Sequence, residues 1–320
     1  MLFTDVCCGI KHEEWGVDAF TVAYRAQLQR AVKLGHDVQL HLHPHWLDSS
    51  WSGGTFRPSR SFSLADFANA PAPDDIAGIV RRGVEYLIDV CAPVRPGYAP
   101  VAFRAGGYNI APHTGEIMRA LYDNGIRIDS SITPGFYFAS GISTIDFRRT
   151  PERSNWYVPL DGPATAEAVS GMYEVPIAGA PRTTLNNVPF LLRRVVHRDR
   201  SFDSGGRGIH QGNESRVQKV KRLFPNSAWQ VSFDNYADSG RDVFEIFRRY
   251  VERQPADVSF SCATVSHPKS MGPHARTVMA DFIARCRDRY GDELEFASFE
   301  TIAAEAHLRR DEPRAKIASR

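Results

Sequence analysis

The stretch Gly35–Trp46, GHDVQLHLHPHW, constrains this chain more than any other. It places four of the 11 histidines (His36, His41, His43 and His45) within ten positions. Val38 and Leu40 alternate with polar neighbours just ahead of the cluster, which predicts a buried strand delivering imidazoles at its end. His41 and His45 are four apart and share a side in a helix or an extended segment alike. A lone histidine is more often a core or solvated group. Three at i, i+2 and i+4 after an apolar run point instead to a metal ion, with His41 and His45 as its ligands.

Composition narrows the class. A chain of 320 residues with 42% hydrophobic and 24% charged residues can bury a sizeable core, and α/β barrels of this length fold as one unit. A formal charge of +2 implies no general affinity for polyanions, so nucleic acid is not an expected partner. Five cysteines without a C-x-x-C pair fit reduced thiols in the cytoplasm better than a disulfide framework. The opening residues lack the basic region and long apolar core of a secretory signal, and no 18-residue apolar run predicts a transmembrane segment.

Strand and helix patterns alternate along the chain. Residues 2–8 read as a strand, then Asp18 opens a helix that Gly35 stops. Residues 47–73 form a long Ser-, Gly- and Pro-rich loop with scattered aromatics, of the kind that serves as a lid or binding loop. Asp74-Asp75 open a second helix. Val101–Phe103 and Ile126–Ile128 read as short strands flanking a helix capped by Thr114. Trp229–Phe233, Val258–Val265 and Leu294–Ala297 read as later strands, with helices over Val243–Val251, 274–290 and Phe299–Leu308 between and after them. The expectation is one domain over residues 1–308, with an irregular insertion at about 133–226 and a charged tail at 309–320. The repeated β-α pattern predicts a parallel sheet, and the absence of a Gly-rich phosphate loop after the first strand favours a barrel over an open sheet.

Chemistry-bearing residues recur at predicted strand ends: His41/His45, Arg104, Asp129 and His267. In a parallel barrel those ends share one rim, where active sites are built. Two histidines and a carboxylate would leave an open position on a zinc-like ion, which acidifies a bound water and polarises a carbonyl. His267 suits a general acid, Asp129 an orienting carboxylate and Arg104 a carboxylate or substrate clamp, while the backbone at Gly106-Gly107 offers N–H groups to an oxyanion.

These segments together resemble the polysaccharide deacetylase family, the NodB-homology fold, over most of the chain. GHDVQLHLHPHW resembles its His-box, with His41 and His45 as the metal ligands. FRAGGY resembles the segment of its positioning arginine, Arg104, and IDSS that of the aspartate tuning the acid, Asp129. TVSHPKSM resembles the segment of the general acid, His267. The resemblance implies a distorted (β/α)7-type barrel lacking its first strand in this chain. It also implies one divalent metal, zinc by preference, and hydrolysis of an acyl group, N-acetyl above all, from a sugar of a glycan or glycan precursor; Gly107 is the oxyanion candidate. The family's paired aspartates have no counterpart ahead of His41, which leaves Asp5, after a strand-like run, as the carboxylate that could approach the metal and the base unassigned. Two other readings stand beside this one. One is an amidohydrolase- or phosphoesterase-like barrel using His41-x-His43 and Asp234; the other is a carbohydrate-binding relative without catalysis.

Overall fold

The computed structural model describes residues 2–140, 143–182, 192, 227–234, 238–256, 258–306 and 308. In chain order the strands are β1 (Leu2–Asp5), β2 (Val38–Leu42), β3 (Ser50–Ser52), β4 (Thr55–Arg57), β5 (Ala102–Ala105), β6 (Ile128–Asp129), β7 (Tyr137–Ala139), β8 (Thr144–Asp146), β9 (Trp156–Val158), β10 (Met172–Glu174), β11 (Gly179–Pro181) and β12 (Ala228–Gln230). The helices are α1 (Val6–Glu14), α2 (Asp18–Lys33), α3 (Ile76–Cys91), α4 (Thr114–Asp123), α5 (Gly240–Val251), α6 (Pro273–Tyr290) and α7 (Phe299–Glu305). The chain divides into two compact units. One holds Met1–Ser131, Tyr157–Glu174 and Ala297–Arg320; the other holds Ile132–Trp156 and Val175–Phe296.

The first unit is built on a six-stranded sheet in the order β1-β2-β5-β6-β10-β9, with β1 to β10 paired in parallel. The protein is thus a mixed α/β fold with a parallel sheet, and closure of that ladder is not seen among the described residues. Parallel strands are covered on their faces, so they read as apolar runs. Val38, Leu40, Leu42, Phe103 and Ile128 are accordingly buried. Helix α3 carries a wide apolar face, Ile76, Ile79, Val80, Leu87 and Val90, and starts where Asp75 caps the Gly78 amide at 2.8 Å.

The opening strand is shorter than its apolar run suggests. It ends at Asp5, which stands at the N-cap position of α1, so Cys7 and Cys8 fall in a helix rather than a strand. That helix lies close against its neighbours: a Cβ on Gly9 would come within 2.7 Å of both the Tyr24 ring and the Tyr86 hydroxyl. The 47–73 loop is more ordered than its composition implies, with the β3–β4 hairpin and a 3-10 turn at Leu64–Phe67 capped reciprocally by Ser63 and Asp66.

In the second unit, α5 and α6 pack around Phe233, Val243, Phe247, Tyr250, Val278 and Phe282. Val258–Val265 forms no continuous strand; it contributes only isolated parallel bridges, Ile177 to Ala263 and Ser232 to Val265. Leu294–Ala297 joins no ladder among the described residues. Much of the expected insertion, residues 183–191 and 193–226, lies outside the described residues, as does the whole of the 309–320 tail.

Candidate metal and acid–base site

The parallel register assembles the site at the C-terminal edge of the sheet in the first unit. Asp5 pairs with His41, and His41 pairs with Arg104, so the three occupy one rung across β1, β2 and β5. Asp5 is the carboxylate that the sequence leaves without a role. Its position beside the histidine strand follows from a ladder that begins at Leu2 and Val38, a pairing no single-strand pattern reveals.

The imidazoles form a connected chain. His41 Nδ1 lies 2.6 Å from the Arg104 carbonyl oxygen, which can only accept, so Nδ1 carries the proton and Nε2 presents its lone pair. That Nε2 faces His43 Nε2 at 3.0 Å. The His41 and His43 rings meet edge-on with centroids 4.6 Å apart, and His43 and His45 likewise at 5.4 Å. The His43 amide donates to Asp5 Oδ1 at 3.2 Å. His45 is buried, its ring against Trp46 and Phe62.

Two facing imidazole nitrogens share either a proton or a cation. Ligands about 2.0–2.1 Å from a tetrahedral ion stand roughly 3.3 Å apart, close to the spacing of His41 and His43. A second-sphere carbonyl on the other ring nitrogen is also how metal-ligating histidines are oriented. Among the described residues no three His, Cys, Asp or Glu side chains form a complete metal-binding group. The fit therefore rests on the facing pair and its carbonyl anchor. The sequence pairs His41 with His45; the structure brings His43 equally into the cluster.

Asp5 is electrostatically unusual. Burial pushes its carboxyl up to about 7, although the His43, Cys8 and Cys7 amides and the Trp46 indole all favour its ionised form. Burial also drives the Cys7 thiol far up and that of Cys8 to about 12, so neither is primed as a thiolate nucleophile.

Arg104 is buried, and its Nε and Nη2 groups donate to the Ser130 carbonyl and Oγ at 2.8 and 2.9 Å while the guanidinium lies over the Phe3 ring. Asp129 is fully buried and accepts from Ser131 Oγ at 2.6 Å, and Ser131 Oγ accepts the Ala105 amide. Across the β6–β10 ladder Asp129 meets Glu174, equally buried. Burial raises the Asp129 carboxyl, and the hydrogen bond with Glu174 opposes this only in part, the behaviour of two carboxyls sharing a proton. Sequence reasoning missed Glu174, whose signal is a short apolar alternation ended by an acid.

Gly106 and Gly107 shape the same edge. Gly107 adopts φ +58°, and a Cβ on Gly106 would come within 2.4 Å of the Leu42 carbonyl and 2.7 Å of His43 Nδ1. Gly106→Ala is therefore expected to displace the His43 ring and weaken divalent-metal affinity about 10- to 100-fold, the range for disturbed ligand orientation, as read by competition with a chromogenic chelator.

In the second unit the Ser232–Val265 bridge carries Asp234 and His267 into one register. His267 Nδ1 lies 2.6 Å from Asp234 Oδ2, and the His267 amide donates to Asp234 Oδ1 at 2.8 Å. Asp129 is instead engaged with Ser131 and Glu174, and the carboxylate against His267 within the second unit is Asp234. Both Asp234 oxygens face His267. The imidazole remains half-exposed.

Among the described residues no helix is long and apolar enough to cross a membrane. Compared with known proteins, the chain matches no family model and no curated protein.

Proposed function

We propose that this protein is a metal-dependent hydrolase that removes an acyl group, N-acetyl above all, from a sugar of a glycan or glycan precursor. The finer architecture proposed with it is a barrel of the polysaccharide deacetylase kind. The observation that carries the reading is the rung Asp5–His41–Arg104 with His43 turned onto it. It gathers a proton acceptor, metal-type imidazoles and a buried cation at the edge where parallel folds place their chemistry.

His41 and His43, with His45 beside them, would hold one divalent ion, zinc by its preference for imidazole and carboxylate donors. Such an ion supplies carbonyl polarisation and acidifies water. Asp5 takes the proton of the attacking water, and the Gly107 amide donates to the oxyanion. Arg104 fixes the β5–β6 edge through Ser130 and keeps positive charge behind the site. The family resemblance makes His267 the acid for the leaving amine. The Asp234 contact puts the proton on Nδ1 and leaves Nε2 for transfer, as in other oriented catalytic imidazoles.

The test combines metal analysis with acetate release from N-acetylglucosamine oligomers. The native chain is expected to retain about one zinc and to release acetate. His267→Ala is expected to retain the metal and lose about 10²- to 10⁴-fold in turnover. Undiminished turnover in that variant would sink the acid assignment. Metal binding without hydrolysis of any acylated sugar would sink the enzyme reading.

A further inference from the structure

Helix α2 turns one side inward and leaves the other uncovered among the described residues. Leu28 and Val32 are buried, Gln29 donates to the Val90 carbonyl at 3.1 Å, and Arg25 pairs with Glu13 and Asp89. Those four residues define the inner face. At about 100° per residue the opposite arc carries Ala19, Val22, Ala23, Ala26, Arg30 and Lys33, and all six are exposed. Val22 is 67% exposed, and Leu34, just past the end of the helix, is 64% exposed. A surface helix ordinarily turns polar residues to solvent. Here the outer face is apolar along its middle and charged towards its ends: Asp18 opens the helix, and Arg30 and Lys33 stand in its last turn.

An exposed apolar strip marks a contact surface, and the order of its charges selects the occupant. An anionic membrane would call for basic residues along the whole helix, whereas Asp18 stands at one end. A parallel copy of α2 would set like charges side by side. An antiparallel copy fits. With a two-fold axis midway between Asp18 and Arg30, Val22 meets the partner's Ala26. Each Asp18 then meets the partner's Arg30, six residues or about 9 Å from the axis. Such a patch is self-complementary, as a two-fold interface must be, and the opposed helix dipoles favour the same arrangement.

We propose that the outer face of α2 is the interface of a symmetric, antiparallel dimer of this chain. One helix face covers less than the roughly 800 Å² per partner of a standard interface, so the dissociation constant is expected on the order of 10–100 μM. Sedimentation velocity of the full-length chain, run from below that range to well above it, is the measurement. Val22→Asp, present twice in the interface by symmetry, is expected to leave a monomer throughout. Asp18→Lys and Arg30→Asp are each expected to weaken association about three- to tenfold, because each breaks two ion pairs and sets like charges together. The double variant is expected to regain native affinity. Both single changes also oppose the helix dipole, so a regained dimer cannot come from a firmer helix. A native urea midpoint will separate lost association from lost fold, and the charge variants decide the matter if Val22→Asp unfolds. A native chain that stays monomeric at the highest concentration, a dimer that survives Val22→Asp, or a double variant no better than the single ones would each overturn the interface.

Discussion

Asp5→Asn is expected to lower kcat/KM for acyl release about 10²- to 10⁴-fold and to flatten the pH dependence of folding stability in the metal-free chain. The first effect follows from removing the proton acceptor on the rung with His41. The second follows from linkage. The carboxyl ordinarily titrates at 3.8, the value it has in the unfolded chain, and near 7 in the fold. Below 3.8 it is protonated in both states and contributes no slope. Between 3.8 and 7 the unfolded chain has given up the proton and the native chain still holds it. Native stability therefore falls as pH rises through that window and levels off above it. Asparagine does not titrate, and its amide oxygen can still accept from the His43 amide. Urea unfolding in chelator at pH 4.5, 6 and 7.5 is the measurement. Equal slopes for the native and Asp5→Asn chains would mean that burial does not hold Asp5 protonated.

Much of the fold was legible because helix signals are local. The helices beginning at Asp18, Ile76 and Thr114 lie near their expected bounds because apolar stripes are local, but of the expected caps only Asp75 accepts an amide; Asp18 and Thr114 are first helical residues, with Val17 and His113 at the N-cap positions. Strands were read less well. Val258–Val265 and Leu294–Ala297 carry strand-like residues, but a strand exists only where a partner offers hydrogen bonds, and that partner is far away in sequence. The site divides in the same way. The histidine cluster is contiguous and visible at once, whereas Asp5, Glu174 and the Asp234–His267 pair gain their relations from ladder register. Asp234 is the instructive case: it follows a recognisable strand, yet its place beside His267 depends on a bridge between residues 33 positions apart.

His41→Ala is expected to have the largest effect of any single change: no retained zinc after dialysis, acetate release at background, and a modest loss of stability. Disturbing a residue that only orients a ligand costs about 10- to 100-fold in metal affinity, so removing a ligand costs more. The stability loss has a separate origin, since the substitution removes the Nδ1–H donor 2.6 Å from the Arg104 carbonyl, and losing one such hydrogen bond costs about 0.5–1.5 kcal/mol. Circular dichroism and a urea midpoint would confirm that the variant is folded before its metal content is read. His43→Ala then decides how the imidazoles divide the work. If spacing along the strand governs, His41 and His45 form the pair and His43→Ala keeps its zinc. If the facing nitrogens at 3.0 Å govern, His43→Ala loses zinc nearly as completely as His41→Ala, and His45→Ala loses less. The second outcome is expected, because His45 is packed between Trp46 and Phe62 while His43 turns its Nε2 onto His41. Full zinc retention in His41→Ala would remove the metal centre, and with it the rung's claim to be the seat of hydrolysis.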